Sequence, residues 1–140
     1  MSFIAFIEKN WMLVLALFAS GLMLLWPLVQ RRLSPVKEIG TLHVTQLINR
    51  DNAVLLDVRE PKEFEGGKLP NAIHIPLSEL PGRMAELAKM TSRPIVVYCA
   101  RGQRSGAAGS ALAKQGFANI YQLQGGIKAW RDAGLPLASA

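Results

Sequence analysis

The sequence predicts an α/β fold in which a parallel β-sheet is covered by helices on both faces and is preceded by one transmembrane helix. After residue 37, short and continuously apolar segments alternate with amphipathic ones, as is typical of buried parallel strands joined by helices. The 140-residue chain has an apolar fraction of 50%. Much of that excess lies near the amino terminus, where the segment from Asn10 to Gln30 contains no charged residue.

This apolar segment has the dimensions of a membrane span. As a helix, Trp11 to Val29 would be about 28 Å long, close to a hydrocarbon core of roughly 30 Å. Trp11 and Trp26 lie near its two ends, where amphipathic rings prefer to sit. A buried core helix would show a polar stripe, and a cleaved signal peptide would have a shorter apolar run and a small-residue cleavage site. We therefore expect a short tail (1–10), a transmembrane helix (11–30), a basic linker (31–36) and a globular domain (37–140).

The charges around the span predict its orientation. Arg31, Arg32 and Lys37 follow it, whereas Glu8 and Lys9 precede it. We therefore expect a single-pass protein of the inner (cytoplasmic) membrane. The positive-inside rule predicts that its carboxyl-terminal domain lies in the cytoplasm. A single cysteine excludes a disulfide scaffold and suits that compartment. The net charge of +6 is scattered without a basic stripe interleaved with aromatics, so no nucleic-acid partner is predicted.

The first half of the domain begins with a helix. Val44, Leu47 and Ile48 are spaced as on one helical face, which predicts a helix over 41–49. The apolar run 53–58 predicts a buried strand. Residues 60–67 are charged and end in glycine, as expected of a solvated loop that can include one helical turn. A second buried strand, 72–75, is stopped by a proline.

The second half continues the alternation. Leu80, Met84, Leu87 and Ala88 share one helical face and predict an amphipathic helix over 80–88. The remaining elements are a strand at 94–99, a small-residue helix at 104–115, a strand at 119–123 and a short helix at 126–133. In a parallel sheet, the functional site lies beyond the carboxyl ends of the strands. The segments with chemistry at such positions are 57–59 and 99–105.

Cys99 is the strongest candidate for a functional residue. It would lie at a helix amino terminus, beside unpaired N–H groups and the positive end of the helix dipole. Arg101 and Arg104 add positive charge, and Gly102 allows a tight turn with inward amides. We therefore expect its pKa to lie below the ordinary value of about 8.5. The thiolate form is a nucleophile; the alternative is a buried, inert cysteine.

Four motifs, in order and at matching spacing, resemble rhodanese-like (thiosulfate sulfurtransferase-like) domains. They are LLDVREPKEF (55–64), GKLPNAIHIPL (67–77), VYC with its following loop (97–104) and GGIKAW (125–130). The resemblance implies a five-stranded parallel sheet flanked by helices. It also implies that Cys99 takes a sulfane sulfur from a small anionic donor such as thiosulfate. The resulting persulfide would pass that sulfur to cyanide or to a thiol or protein acceptor, without a metal or other cofactor.

The resemblance gives roles to the loop after Cys99. Arg104 would clamp the anionic end of the donor with its planar guanidinium, and Arg101 would steer the anion at the rim. Gly102 and Gln103 would contribute backbone amides. The arginine is the fifth residue after the cysteine, whereas related phosphatases have one more residue in the loop. Sulfur transfer is therefore favoured over phosphate or arsenate chemistry.

A second group of residues would surround the loop without touching the sulfur. Ala100 and Ser105 flank its ends. Asp57 and Arg59 would lie at a neighbouring strand end, where they either organise the loop and its electrostatics or form a structural ion pair.

Other features limit the range of functions. His43 and His74 lack cysteine or carboxylate partners at ligand spacing, so no metal site is predicted. Lys68 stands where the family has histidine, and Asn71 where it has glycine, which concerns local packing. The competing function is a membrane-tethered docking or regulatory module with little turnover, although such modules often lose the cysteine that is intact here.

Overall fold

The structure, a computed structural model, describes residues 2–139 except for the side chain of Arg31. The chain divides into two compact units between Ser34 and Pro35. The first unit consists of two helices, α1 (Phe3–Lys9) and α2 (Trp11–Leu33). Helix α1 occupies the segment expected to be a tail. The Ser2 hydroxyl oxygen caps it by accepting a hydrogen bond from the Ala5 N–H at 3.2 Å.

Helix α2 contains the apolar segment that the sequence singled out. From Trp11 to Gln30 its mean hydropathy is 2.3, and none of that stretch is buried within the structure. Within the described part of the chain, this is the one helix long and apolar enough to cross a membrane, by length and composition. Pro27 does not end the helix, which continues to Leu33.

The second unit is a five-stranded sheet with helices on both faces. Its strands are β1 (Val36–Ile39), β2 (Val54–Asp57), β3 (Ile73–His74), β4 (Ile95–Tyr98) and β5 (Ile120–Leu123). Its α-helices are α3 (Thr41–Asp51), α4 (Pro61–Glu65), α5 (Leu80–Arg83), α6 (Gln103–Lys114) and α7 (Gly126–Asp132).

All neighbouring strands are parallel, in the order β1-β5-β4-β2-β3. The parallel sheet predicted from the sequence is therefore confirmed. Strands β2 and β4 are buried along their whole length because helices cover both faces. Leu55 pairs in register with Val96, and Asp57 pairs with Tyr98, so the carboxyl ends of these strands are adjacent.

Alternating side chains of the strands pack into two separate hydrophobic cores, one on each face of the sheet. Leu56, Val97 and Cys99 pack with residues of α5 and α6 on one face. Leu55 and Tyr98 pack with residues of α3 and α7 on the other. The period of two along β4 therefore turns Cys99 toward α6, the helix that begins in the loop after it.

Two local expectations differ from the structure. The linker expected up to residue 36 ends in strand β1, whose Val36 and Ile39 are buried while the two residues between them are exposed. The single helix expected over 80–88 is instead α5 followed by two 3₁₀ turns, Met84–Glu86 and Ala88–Met90. Gly82 weakens a helix, whereas Pro81 lies in the first turn of α5, where proline is tolerated. Leu80 and Leu87 still reach the core.

Candidate active site

The loop between β4 and α6 surrounds the sulfur of Cys99 with backbone amides. The Gly102 N–H donates a hydrogen bond to Sγ at 3.0 Å, and the amides of Arg104 and Ser105 also donate to it. Gly102 has φ +97°, a left-handed conformation that favours glycine. The turn that directs these amides inward therefore depends on glycine at this position.

These contacts decide the ionisation of the thiol. Burial raises the pKa of Cys99, because the interior disfavours the charged form. Hydrogen bonds from the amides of Ser105, Arg104 and Gly102, and from the Ser105 hydroxyl, outweigh burial and leave the pKa below the ordinary thiol value. The shift has the direction expected from the sequence. Amide hydrogen bonds, including the one from the Arg104 N–H, make the largest favourable contribution to this shift.

Ser105 holds a buried hydroxyl beside the sulfur. Its Oγ lies 3.9 Å from the Cys99 Sγ and 3.2 Å from both the Gly102 carbonyl oxygen and the Gln122 Oε1. The Gln122 Nε2 in turn donates to Glu38 at 3.4 Å. The sequence predicted that Ser105 would surround the loop without touching the sulfur, and the structure corrects this, because its amide and hydroxyl both contact Sγ. Sequence reasoning missed Gln122. The sequence did carry a signal for Gln122, which is an amide side chain within the otherwise mostly apolar strand β5.

Arg104 is paired with a carboxylate. Its Nη1 and Nη2 donate to Glu63 Oε1 and Oε2 at 2.7 and 2.9 Å. Both terminal nitrogens of the planar fork are therefore occupied, whereas the sequence analysis expected this fork to clamp a donor. The hydrogen bonds that Arg104 donates to Glu63 raise the pKa of Arg104, and the same pairing lowers the pKa of Glu63.

Glu63 was expected to lie in a solvated loop, and the structure corrects this. Its carboxylate also accepts a hydrogen bond from the Glu60 N–H at 3.1 Å, at the start of α4. The sequence carried a signal for this arrangement, because glutamate three residues after a helix cap, with proline at the first helical position, is typical of a helix start. The partner of Glu63 was not visible, because Arg104 is 41 residues away in the chain.

Asp57 and Arg59 form a buried ion pair. Their side chains are 0% and 3% exposed, and Nη2 of Arg59 lies 2.7 Å from Oδ2 of Asp57. The same nitrogen donates to the Gly67 carbonyl oxygen at 2.6 Å, and His74 Nε2 donates to the Arg59 carbonyl at 2.8 Å. These bonds hold the end of β2 to the segments around it. Of the two interpretations left open by the sequence, the contacts favour the structural ion pair.

The other loop residues face outward. Arg101 and Gln103 are exposed, and Ala100 is half-buried. The carbonyl oxygens of Cys99 and Ala100 accept hydrogen bonds from the N–H groups of Ile127 and Lys128 at 2.9 and 3.2 Å. The first turn of α7 is thus attached directly to the beginning of the loop.

The two departures from the family pattern have local explanations. Asn71 has φ +61°, a conformation that asparagine tolerates better than most residues other than glycine. The Lys68 ammonium lies 5.3 Å from the centroid of the Phe64 ring. Both residues lie outside the loop that follows Cys99. Among the described residues, no group of three or more His, Cys, Asp or Glu side chains could hold a metal ion.

Comparisons with known proteins agree with this geometry. Residues 43–133 match the family model of the rhodanese-like domain. A sulfurtransferase of Allochromatium vinosum is 37% identical over 105 residues, which cover 74% of this chain and 96% of that protein. The thiosulfate sulfurtransferase GlpE of Pseudoalteromonas translucida is 30% identical over 97 residues, covering 69% of this chain and 90% of the relative.

A solved structure shows the same similarity in three dimensions. The rhodanese-related protein of Thermoplasma volcanium superposes with a TM-score of 0.67 at 35% sequence identity, covering 74% of this chain and 99% of that one. The matched family model spans more than half of the chain and includes both Cys99 and its loop. The chain therefore belongs to the rhodanese-like sulfurtransferase family.

Proposed function

We propose that the protein is a sulfurtransferase that carries sulfane sulfur as a persulfide on Cys99. The observation that carries this proposal is the ring of amides around Sγ, which lowers the pKa of the thiol despite its burial. A thiolate near neutral pH is the form that attacks sulfur. The names of the relatives, a sulfurtransferase and a thiosulfate sulfurtransferase, support the same chemistry.

In the first step, the Cys99 thiolate attacks the outer sulfur of thiosulfate. A bond forms between Sγ and that sulfur, while the sulfur–sulfur bond of thiosulfate breaks and its electron pair leaves on sulfite. The negative charge moves to the terminal sulfur of the persulfide. Preorganised amides at a helix amino terminus stabilise an anion without a metal.

In the second step, an acceptor nucleophile attacks the terminal sulfur. Cyanide leaves as thiocyanate, and an acceptor thiolate leaves as a persulfide. In each case the electron pair of the broken bond returns to Sγ and restores the Cys99 thiolate. Electrons, atoms and charge balance within each step, so no redox cofactor is needed.

Access to the sulfur requires movement. Cys99 has no exposed surface, so a donor reaches Sγ only when the loop opens or the side chain rotates. The Arg104–Glu63 pair fastens the end of the loop to α4, and we therefore assign Arg104 a positioning role. Arg101, which is exposed, is the loop cation available to attract the anionic donor.

The test is intact-mass spectrometry of the full chain in detergent after treatment with thiosulfate. We expect a gain equal to the mass of one sulfur atom, lost again on addition of cyanide with release of thiocyanate. Cys99→Ser, which is nearly isosteric, should show neither. If the wild type and Cys99→Ser behave alike in both measurements, the enzyme proposal fails and the docking module is supported.

We also propose that α2 anchors the protein in the cytoplasmic membrane with the domain in the cytoplasm. Its length and mean hydropathy support the anchor, and the basic residues Arg31, Arg32 and Lys37 after the span support the orientation. The protein should resist extraction of membranes with alkaline carbonate. Added protease should remove the domain in inverted vesicles but not in right-side-out vesicles; the reverse pattern would contradict the orientation.

A further inference from the structure

We infer that the sulfur acceptor is a small thiol carrying two negative charges, which a cationic cleft formed by Arg101, Lys128 and Arg131 binds beside the active-site loop. This inference rests on the proposed sulfurtransferase function and names the substrate class of its second step. It concerns side chains of α7 to which sequence reasoning assigned no role.

The cleft has a volume of about 410 Å³, and its lining includes Ala100, the residue after the candidate nucleophile. Its other lining residues are Arg59, Glu63, Arg101, Ile127, Lys128 and Arg131. The volume falls within the range of small-molecule sites, roughly 300–1,000 Å³. Thiosulfate has only five atoms and requires a far smaller volume.

Helix α7 holds the cleft in a fixed position relative to the nucleophile. Its first turn is hydrogen-bonded to the carbonyls of Cys99 and Ala100. Gly126 lies so close to this backbone that a Cβ there would overlap the Cys99 carbonyl oxygen and lie 2.7 Å from the Ala100 carbonyl carbon. Lys128 and Arg131 are three residues apart and therefore share one face of α7. A ligand held by them has a defined distance to the loop.

The charges that line the cleft do not cancel. The Glu63 carboxylate is bound by Arg104, and the Arg59 guanidinium is bound by Asp57. Neither Arg101 nor Arg131 has an ion-pair partner in the part of the chain that the structure describes. Lys128 pairs with Asp132, but both side chains are more than 60% exposed. The cleft is therefore cationic and attracts anions.

The position of these charges favours the acceptor over the donor. In thiosulfate the charged oxygens are two bonds from the sulfur that is attacked, so they must lie at the loop itself. The cations of α7 lie beyond Ala100 and suit a ligand whose charges are several bonds from its sulfur. Two unpaired guanidinium groups and an exposed ammonium match a dianionic thiol.

The experiment compares acceptor thiols of different charge: uncharged 2-mercaptoethanol, monoanionic 3-mercaptopropionate and dianionic mercaptosuccinate. The quantity measured is kcat/KM for each acceptor, with the persulfide formed from thiosulfate. We expect Arg131→Gln and Lys128→Gln each to lower the ratio of mercaptosuccinate to 2-mercaptoethanol about fivefold, the effect of one exposed charge contact. Using the ratio removes differences in intrinsic thiol reactivity.

Lys114→Gln provides the matched control, because it removes the same charge at the far end of α6. An unchanged ratio in Arg131→Gln, or an equal fall in Lys114→Gln, would overturn the inference. A third outcome would also overturn the inference: a rise in the KM for thiosulfate in Arg131→Gln that exceeds the change in the acceptor ratio. That result would mean that the cleft binds the donor.

A binding measurement separates this inference from the proposed function. S-Methyl mercaptosuccinate cannot accept sulfur, yet it keeps both carboxylates. Calorimetry should detect its binding to the wild type and about fivefold weaker binding to Arg131→Gln. Absence of a persulfide on Cys99 would refute the function and leave this binding result intact. Absence of binding, with normal persulfide formation, would refute the cleft.

Discussion

The ends of β2 and β4 lie side by side in the sheet, and each holds a buried negative group in a different way. At the end of β2, the Asp57 carboxylate is bonded to the Arg59 guanidinium, and both side chains are buried. At the end of β4, the Cys99 sulfur is hydrogen-bonded to backbone amides and a hydroxyl.

This difference gives the two strand ends different roles, one in stability and the other in chemistry. An ion pair neutralises its charge, so the carboxylate of Asp57 is occupied and inert. Amides stabilise a charge without neutralising it and leave the sulfur with its nucleophilic electron pair. One strand end therefore fastens the domain, and its neighbour is available for reaction.

Removing one partner of the ion pair should have the largest effect on stability. We expect Arg59→Met to lower the free energy of unfolding by about 3–5 kcal/mol, because it leaves the Asp57 carboxylate buried and uncompensated. The double variant Asp57→Leu/Arg59→Met should recover most of this loss. The measurement is urea unfolding of the full chain in detergent, followed by circular dichroism.

Arg83→Met is the control for this prediction, since it breaks an arginine–carboxylate pair with Glu86 that lies on the surface. Its effect should be far smaller. If Arg59→Met were no more destabilising than Arg83→Met, the end of β2 would not be the fastening point that the contacts indicate.

The pair between Arg104 and Glu63 connects the two kinds of site and should have a smaller effect. Both side chains are about one-third exposed, at 31% and 33%, so Glu63→Gln and Arg104→Gln should each cost about 1 kcal/mol of stability. Their effects on the pKa of Cys99 should be opposite. Arg104→Gln removes a nearby positive charge and should therefore raise the pKa of Cys99. Glu63→Gln leaves that charge uncompensated and should lower the pKa of Cys99.

Thiolate absorbance in the ultraviolet, recorded against pH with Cys99→Ser as the blank, measures these shifts. Shifts of the same sign would show that the two variants act by disturbing the loop rather than through charge.

Ser105→Ala tests the amide ring without changing any charge. Removal of a hydroxyl 3.9 Å from Sγ should raise the pKa of Cys99, because one donor to the thiolate is lost. The rise should be smaller than that caused by disrupting the amides through Gly102→Ala, which forces alanine into a left-handed backbone conformation. The same absorbance titration applies. If Ser105→Ala raised the pKa of Cys99 more than Gly102→Ala did, the hydroxyl would stabilise the thiolate more than the amides do.

The parts of the structure predictable from sequence are those determined by local patterns. The continuously apolar runs of β2 and β4 predict a parallel sheet, and the strand–cysteine–glycine–helix order predicts the loop around Cys99. Strand β1 escaped prediction because only its two end residues are apolar and buried. The segment after Leu80 has helical spacing, but α5 ends at Arg83 and two 3₁₀ turns follow it.

The parts that could not be predicted depend on which distant residue meets which. The spacing of charges in EPKEF does not reveal that Glu63 will occupy the guanidinium of Arg104, since that contact exists only in the folded domain. The same holds for Gln122 beside Ser105. Residue types and loop order indicate the chemistry of the site, whereas the partners of its charges come from tertiary packing.

The pH dependence of stability gives the smallest expected effect and bears directly on the amide ring. The pKa of Cys99 is lower in the folded protein than in an unfolded chain, where a thiol titrates near about 8.5. Ionised Cys99 therefore adds stability that is fully present above the unfolded value and is lost as the pH falls through the folded value. The free energy of unfolding of the wild type, minus that of Cys99→Ser, should rise toward about pH 8.5 and then stay level. Because serine does not ionise in this range, other titrating groups cancel in the difference. A difference that fell with rising pH would mean that burial outweighs the amides and that the sulfur is held as a neutral thiol.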